Sequence, residues 1–403
     1  MLSGLALVSS DTRGARDVRR ARIATTVAFA TNGALPVSLM ARYAEVKEIL
    51  GLTDAVFGLV VASYLIGAAL ALNLPGVILR RVGTRITTTV GTVWVATWLA
   101  VAAGGVAIGQ VWLVLAGLLL AGWADSIVDV AQNAQGLGVQ SARGSSVLNS
   151  MHAGWSAGAA LGGAVGTMAA SLGVPLVVHM GLWGVICAVT MTLAGRSFLT
   201  DRHRTTEGEQ QRDRLNWRVV RYLLPLVVLA LAGISVEDIG NNWSAVLLST
   251  ERGVAAASAG VGLSVLLAAQ FIGRLAGDRF VDRIGEHRAV IVSLSGTSTG
   301  LLAAAWAPAA GLTVAGLALA GLSSAITVPL AFAHADRVPG LPAHSGVTWV
   351  VLAMRVSAIG LTPAIGAMSS ASSLPLAITV VTGLSVLALA LQVRRSDPAA
   401  AAH

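Results

Sequence analysis

Residues 111–136 read VWLVLAGLLLAGWADSIVDVAQNAQG. A long apolar run continues without a break into Asp125 and Asp129, one helical turn apart. With Asn133 they fall at i, i+4 and i+8, on one face of a helix. An acid at the centre of a membrane helix disfavours insertion by about 2.5–3.5 kcal/mol, and two by roughly 5–7 kcal/mol. The ten Val, Leu and Ile residues between 111 and 130 return about 0.3–0.6 kcal/mol each, roughly 3–6 kcal/mol in all. Alone, such a helix is marginal. Its acids must face a bundle interior, a wet pathway or a basic partner. Two readings follow: a carboxylate pair that exchanges protons with the pathway, or a structural ion pair.

The rest of the chain supports a membrane setting. Of 403 residues, 55% are hydrophobic and only 11% charged, against about 25% charged in an ordinary soluble domain. The mean hydropathy is +0.76, and apolar runs long enough to cross a ~30 Å hydrocarbon core recur from end to end. The net charge of +8 does not indicate nucleic acid, because the basic residues lie in short loops between spans. The single cysteine, Cys187, excludes an intramolecular disulfide and a cysteine metal cluster. The initial MLSGLALVSS is apolar before its arginines, the wrong order for a cleaved signal peptide. Neither a nucleophile–base grouping nor a phosphate-binding G-x-x-x-x-G-K-[ST] loop is present. An enzyme is therefore not expected, nor a metal or cofactor.

Twelve spans are predicted, near 22–42, 54–79, 86–106, 111–138, 147–170 and 174–198, then 219–248, 256–277, 289–307, 312–335, 346–368 and 374–393. The expected organisation is an all-α polytopic membrane protein. It has a cytoplasmic tail (1–21), a six-helix bundle (22–198), a central cytoplasmic loop (199–218), a second six-helix bundle (219–393) and a cytoplasmic tail (394–403). Charge supports the count. With both termini inside, 23 of the 27 basic residues fall in cytoplasmic segments, Arg274 among them, as positive-inside bias requires. Arg42, Lys47 and Arg252 fall outside, and Arg355 falls within a span. The halves also repeat each other. GVILRRVGTR (76–85) follows span 2 and GDRFVDRIGEHR (277–288) follows span 8, with Arg-x-Gly at Arg81/Gly83 and Arg283/Gly285. Repeated six-helix units are a common transporter architecture.

These loops resemble the Major Facilitator Superfamily, whose loop after span 2 reads roughly G-x-x-x-D-R-x-G-x-[RK]. Gly76, Arg81, Gly83 and Arg85 fit, with Arg80 in place of the acid. The second copy keeps Asp282, Arg283 and Gly285, with Asp278 at the first glycine's place. The resemblance implies two pseudo-symmetric bundles and a cytoplasmic latch at these loops. Segments 32–58, 129–136, 148–163, 237–248 and 273–285 are most similar to the fucose-permease-like branch. There Asp129 and Asn133 match an acid and an asparagine of span 4 implicated in proton and substrate chemistry. The branch's acid in span 1 has no counterpart near Asn32, and its usual Asp-Trp-Ser in span 7 is Asn242-Trp243-Ser244 here. The resemblance also places spans 4 and 11 along the cavity. Arg355 is thus open to two readings, partner of the acids or ligand of an anionic solute group.

Other polar residues inside spans complete the candidates. Glu237, Asp238, Asn241, Asn242 and Trp243 in span 7 form a small-molecule face or an outer gate. His152 and Trp155 share a face of span 5, and Asn32 lies in span 1. Trp123, Trp155, Trp243 and Trp349 sit beside polar residues where an indole can stack on a ring. Gly154, Gly158, Gly162 and Gly166 recur every fourth residue of span 5, which lets another helix approach closely.

The expected function is secondary active transport by alternating access. The solute is small and polar or amphipathic, and Asp129 and Asp125 couple its movement to protons, with sugar symport implied by the resemblance. Drug or metabolite efflux by antiport is the alternative, and a non-transporting sensor or scaffold the second. The partners expected are the solute, protons and membrane lipid, with no nucleic acid, for a monomer in the cytoplasmic (inner) membrane.

Overall fold

A computed structural model describes residues 2–71, 74–144, 147–199, 217–338 and 345–395. The described residues are helices and short connections, without a strand among them. Every predicted span falls on a helix. Span 1 lies within Leu2–Met40, span 2 begins as Asp54–Leu70, and span 3 lies within Pro75–Ala107. Spans 4 to 6 are Val111–Arg143, Leu148–Ser171 and Leu176–Gly195. Span 7 is Trp217–Asp238 and Ser244–Arg252, joined by a π-helical turn at Ile239–Trp243. Spans 8 and 9 are Val261–Ile284 and Glu286–Trp306. Span 10 is split into Ala310–Ser324 and Thr327–Ala335, and Ser345–Ala371 and Leu374–Arg395 are spans 11 and 12. Among the described residues, ten stretches are long and apolar enough to cross a bilayer by length and composition, with Asp54–Leu70 a shorter apolar helix. Most of the central loop and the C-terminal tail lie outside the described residues.

Span 2 is not the continuous helix expected over 54–79. The first helix ends at Leu70 and a new one starts at Pro75. Proline suits the first turn of a helix, where its missing N–H has no partner to lose. That second helix then breaks at Gly83, with φ 78° and ψ 167°. Gly285, between spans 8 and 9, has φ 83° and ψ 151°. The repeat seen in the two Arg-x-Gly loops is therefore a repeat of backbone geometry: each glycine takes a positive φ that a Cβ makes costly.

The chain clusters into two compact units. The first comprises Met1–Leu39, Ser63–Gly162 and Val174–Thr206. The second comprises Met40–Ala62, Gly163–Gly173 and Glu207–His403. The end of span 1 and the start of span 2, in Met40–Ala62, and the end of span 5, in Gly163–Gly173, thus cluster with the second half of the sequence.

In the first unit, the glycine stripe does what its spacing predicts. A Cβ on Gly158 would strike the Ala30 carbonyl, one on Gly162 the Ala34 carbonyl, and one on Gly154 would lie 2.7 Å from the Thr26 methyl. Spans 1 and 5 therefore meet backbone to backbone. Gly67 against Leu119, and Gly122 against Tyr64, bring spans 2 and 4 equally close. The outer faces are apolar: Leu182, Val185, Ile186, Val189 and Leu193 form an exposed stripe along span 6. A helix that turns its apolar face outward is matched to lipid rather than water.

In the second unit, a core of Leu223, Leu226, Leu229, Leu294 and Val350 joins spans 7, 9 and 11. The segment Met40–Ala62 packs here too. Gly58 abuts the Thr362 carbonyl, Gly366 abuts the Asp54 carbonyl, and Phe57 meets Trp243 edge-on at 5.4 Å. Lys47 pairs with Asp54 at 3.0 Å, and Ser369 donates to the same carboxylate. Arg42 is nearly sealed and grips Glu45 with two hydrogen bonds of 2.7 Å.

Candidate functional site

The polar residues singled out inside the spans fall into two clusters, one in each unit. In the first unit, Asp125 and Asp129 lie half-buried on span 4 and interact electrostatically. Asn32 of span 1 donates from Nδ2 to Asp125 Oδ1 at 2.6 Å. Its own Oδ1 accepts from Trp155 Nε1 of span 5 at 3.1 Å. Tyr64 of span 2 interacts with the same carboxylate. Four spans thus converge on Asp125 through neutral groups. Asp129 accepts from Asn133 of its own helix at 3.2 Å, and Asn133 also bonds the Asp129 carbonyl at 2.9 Å. His152 is exposed, its ring at 71° to Phe29 with centroids 5.0 Å apart. The sequence supplied Asn32, Asp125 and Trp155 as separate candidates; their contact, and Tyr64's part in it, required the fold.

In the second unit, the π-helical turn at Ile239–Trp243 sits within the polar run of span 7. Such a turn inserts a residue into the helical register and often marks a functional site. Asp238 is buried, and its Oδ1 accepts from Asn242 Nδ2 at 3.1 Å and from the Thr362 hydroxyl of span 11. Asn242 also donates to Thr362 Oγ1 at 3.1 Å. Its neighbour Glu237 points elsewhere. Its Oε1 accepts from Arg274 Nη2 at 2.9 Å and from Gln270 Nε2 at 3.1 Å, both on span 8. Asn241 is half-buried. Trp243 is wholly buried between Phe57 and Gly366, so its indole serves packing and presents no face for stacking. Arg355 is exposed on span 11, with no hydrogen bond or ion pair among the described residues.

Arg274, counted among the loop charges in the sequence, lies near the middle of Val261–Ile284. It pairs with Glu237 of span 7 at 2.9 Å. Gln270 and Arg274, four apart in an apolar helix, carried that signal. The two loop motifs are exposed at Gly76, Arg81, Arg85, Asp278, Asp282 and Arg283. Those side chains form no ion pair among the described residues.

This geometry, helices throughout with polar clusters held inside apolar spans, defines a polytopic membrane protein. The family model of the Major Facilitator Superfamily matches residues 23–363; the chain belongs to that superfamily of transporters. It is 25% identical over 331 residues to an uncharacterized MFS-type transporter of Yersinia pestis, covering 82% of this chain and 84% of the relative. It is 29% identical over 369 residues to an uncharacterized transporter of Sinorhizobium fredii, covering 88% and 92%. Among solved structures, a mutant form of the nucleoside transporter NupG matches with a TM-score of 0.72 at 13% identity, over 94% of this chain and 100% of that one. The D-xylose-proton symporter matches with a TM-score of 0.69 at 14% identity, over 93% and 97%. These likenesses show a shared fold.

Proposed function

We propose that this transporter moves a small polar organic solute by alternating access and couples the movement to protons at Asp125, with Asp129 beside it. One observation carries the reading: Asp125, within an apolar span, is bound by the neutral amide of Asn32, with the neutral Tyr64 beside it. A carboxylate bound by neutral donors can change charge without breaking an ion pair. Both its charge states then have partners, since an amide and a phenol can each donate or accept. Coupling further requires that protonation and solute each favour one facing state over the other. Asn32, Trp155, Asn133 and His152 of the first unit supply hydrogen bonds and a ring face to the solute. The solved relatives named as a nucleoside transporter and a D-xylose-proton symporter support a polar solute. The orientation follows from the loop arginines, with both termini in the cytoplasm and the chain acting as a monomer in the cytoplasmic membrane.

The test is uptake into proteoliposomes under an imposed pH gradient, after a thermal-shift screen has identified a stabilising solute. Gradient-driven accumulation should be lost in Asp125→Asn, while exchange without a gradient persists. Accumulation that ignores the gradient in the wild type would refute coupling and leave the transporter class intact.

A further inference from the structure

Asp238 of the second unit is a buried acid that coupling at Asp125 leaves unused. It is 6% exposed, at the end of an apolar helix. Its two oxygens are treated unequally. Oδ1 accepts from the Thr362 hydroxyl and from Asn242 Nδ2. Oδ2 is sealed from water and bonded to nothing among the described residues. No ion pair compensates the carboxylate there either. Glu237, beside it, is held by Arg274 and Gln270 of span 8, and Asp278 is exposed one turn further along that span. Arg355 is exposed about two turns before Thr362 on span 11. Asp54, at the start of span 2, is held by Lys47 and Ser369. A sealed carboxyl with one oxygen unbonded and no cation is costly as an anion and far less so as an acid. Asn241, in the π-helical turn, has the complementary lack: its Oδ1 is also sealed and has no donor. A proton on Asp238 Oδ2 supplies a donor where two acceptors have none. A hard metal ion would need about six oxygens around it, and Thr362 and Asn242 are already spent on Oδ1.

We infer that Asp238 is a second proton site of the transporter, loaded on Oδ2 beneath the start of span 2 and emptied when that cover lifts. The inference rests on the transport reading and deepens it. The elements that hold Asp238 are built to bend. The π-helical turn Ile239–Trp243 follows it directly, and Pro363 follows Thr362 inside span 11. Both interrupt the regular helical ladder, and helices bend at such places. The start of span 2 packs over both: Phe57 meets Trp243 edge-on at 5.4 Å, and a Cβ on Gly58 would lie 2.9 Å from the Thr362 carbonyl. When it lifts, water reaches Oδ2. The O–H bond breaks, the proton passes to water, and the carboxylate left behind takes hydrogen bonds from water in its place. Asp125 sits half-buried in the other unit, so the two sites are separate.

Infrared spectroscopy of the reconstituted full-length protein tests this without solute or gradient. The difference between Asp125→Asn and the double variant Asp125→Asn, Asp238→Asn should contain a carboxylic-acid C=O band at neutral pH. Thr362→Val keeps the side-chain shape and should raise the frequency of that band, because the C=O loses a hydrogen bond. Should Asp238→Asn fail to fold, the shift in Thr362→Val identifies the band by itself. In heavy water the band should shift slowly. It should shift several-fold faster in Asp54→Ala, which removes the bonds from Lys47 and Ser369 at the start of span 2. A carboxylate with a merely structural role predicts no acid band. Absence of an acid band that depends on Asp238, or a band unmoved by Thr362→Val, would overturn the proton site. Exchange no faster in Asp54→Ala would overturn the cover. An acid band in a protein that shows no gradient-driven uptake would uphold the site and refute the coupling at Asp125 instead.

Discussion

Asn32 joins Asp125 to Trp155: its amide nitrogen donates to the carboxylate at 2.6 Å while its oxygen accepts the indole N–H at 3.1 Å. Both ends of one side chain are used, so its orientation is fixed by chemistry rather than by packing. Asn32→Leu keeps the volume and removes both bonds. We expect a loss of about 1–3 kcal/mol from the abandoned polar groups, seen as a lower Tm. Flux should fall by tenfold or more, with Asn32→Gln recovering part of both. Unchanged flux in Asn32→Leu would detach this amide from transport.

The close packing of spans 1 and 5 predicts a graded response along the glycines. Gly158→Ala places a methyl on the Ala30 carbonyl, and overpacking of this kind costs typically 1–3 kcal/mol. Gly138→Ala meets nothing within 4 Å and should leave stability unchanged or raised, since alanine favours helix. Comparison of the two Tm values in the same detergent checks the prediction.

Gly83 and Gly285 hold equivalent turns with φ of 78° and 83°. Substitution by alanine at either should destabilise by about 1–2 kcal/mol through backbone strain alone. Neither effect should depend on salt. Arg81→Ala, an exposed side chain, should leave Tm nearly unchanged, so that strain and loop charge are read separately.

Two tryptophans that look alike in sequence should behave differently. Trp243 is fully buried against Phe57, and Trp243→Ala should cost about 3–5 kcal/mol as a large cavity. Trp155 is half-buried and bonded to Asn32. Trp155→Phe should retain most of the stability and reduce solute affinity. Thermal shift with and without solute distinguishes the two effects.

The membrane architecture was legible because hydrocarbon imposes length and composition on each span. The glycine stripe of span 5 was legible for the same reason: its spacing allows only one use. The contacts of the polar clusters were not. Nothing local tells Asp125, which gathers Asn32 and Tyr64 from other helices, from Asp129, which accepts from Asn133 on its own. The pair of Arg274 with Glu237 was not legible either, because counting loop arginines is blind to a pair formed across two helices. Glu237 and Asp238, adjacent in sequence and about 100° apart around a regular helix, serve spans 8 and 11 respectively, just before the π-helical turn. The break before Pro75 was missed because the hydropathy runs on across it.

The central claim is that a carboxylate held by neutral groups within the membrane carries the coupled proton. Its most direct test is solute-induced proton movement in proteoliposomes, followed with an entrapped pH-sensitive dye, in wild type and Asp125→Asn side by side. The account predicts a pH change on solute addition in the wild type and none in Asp125→Asn, with solute exchange preserved in both. Equal proton movement in the two proteins would contradict it.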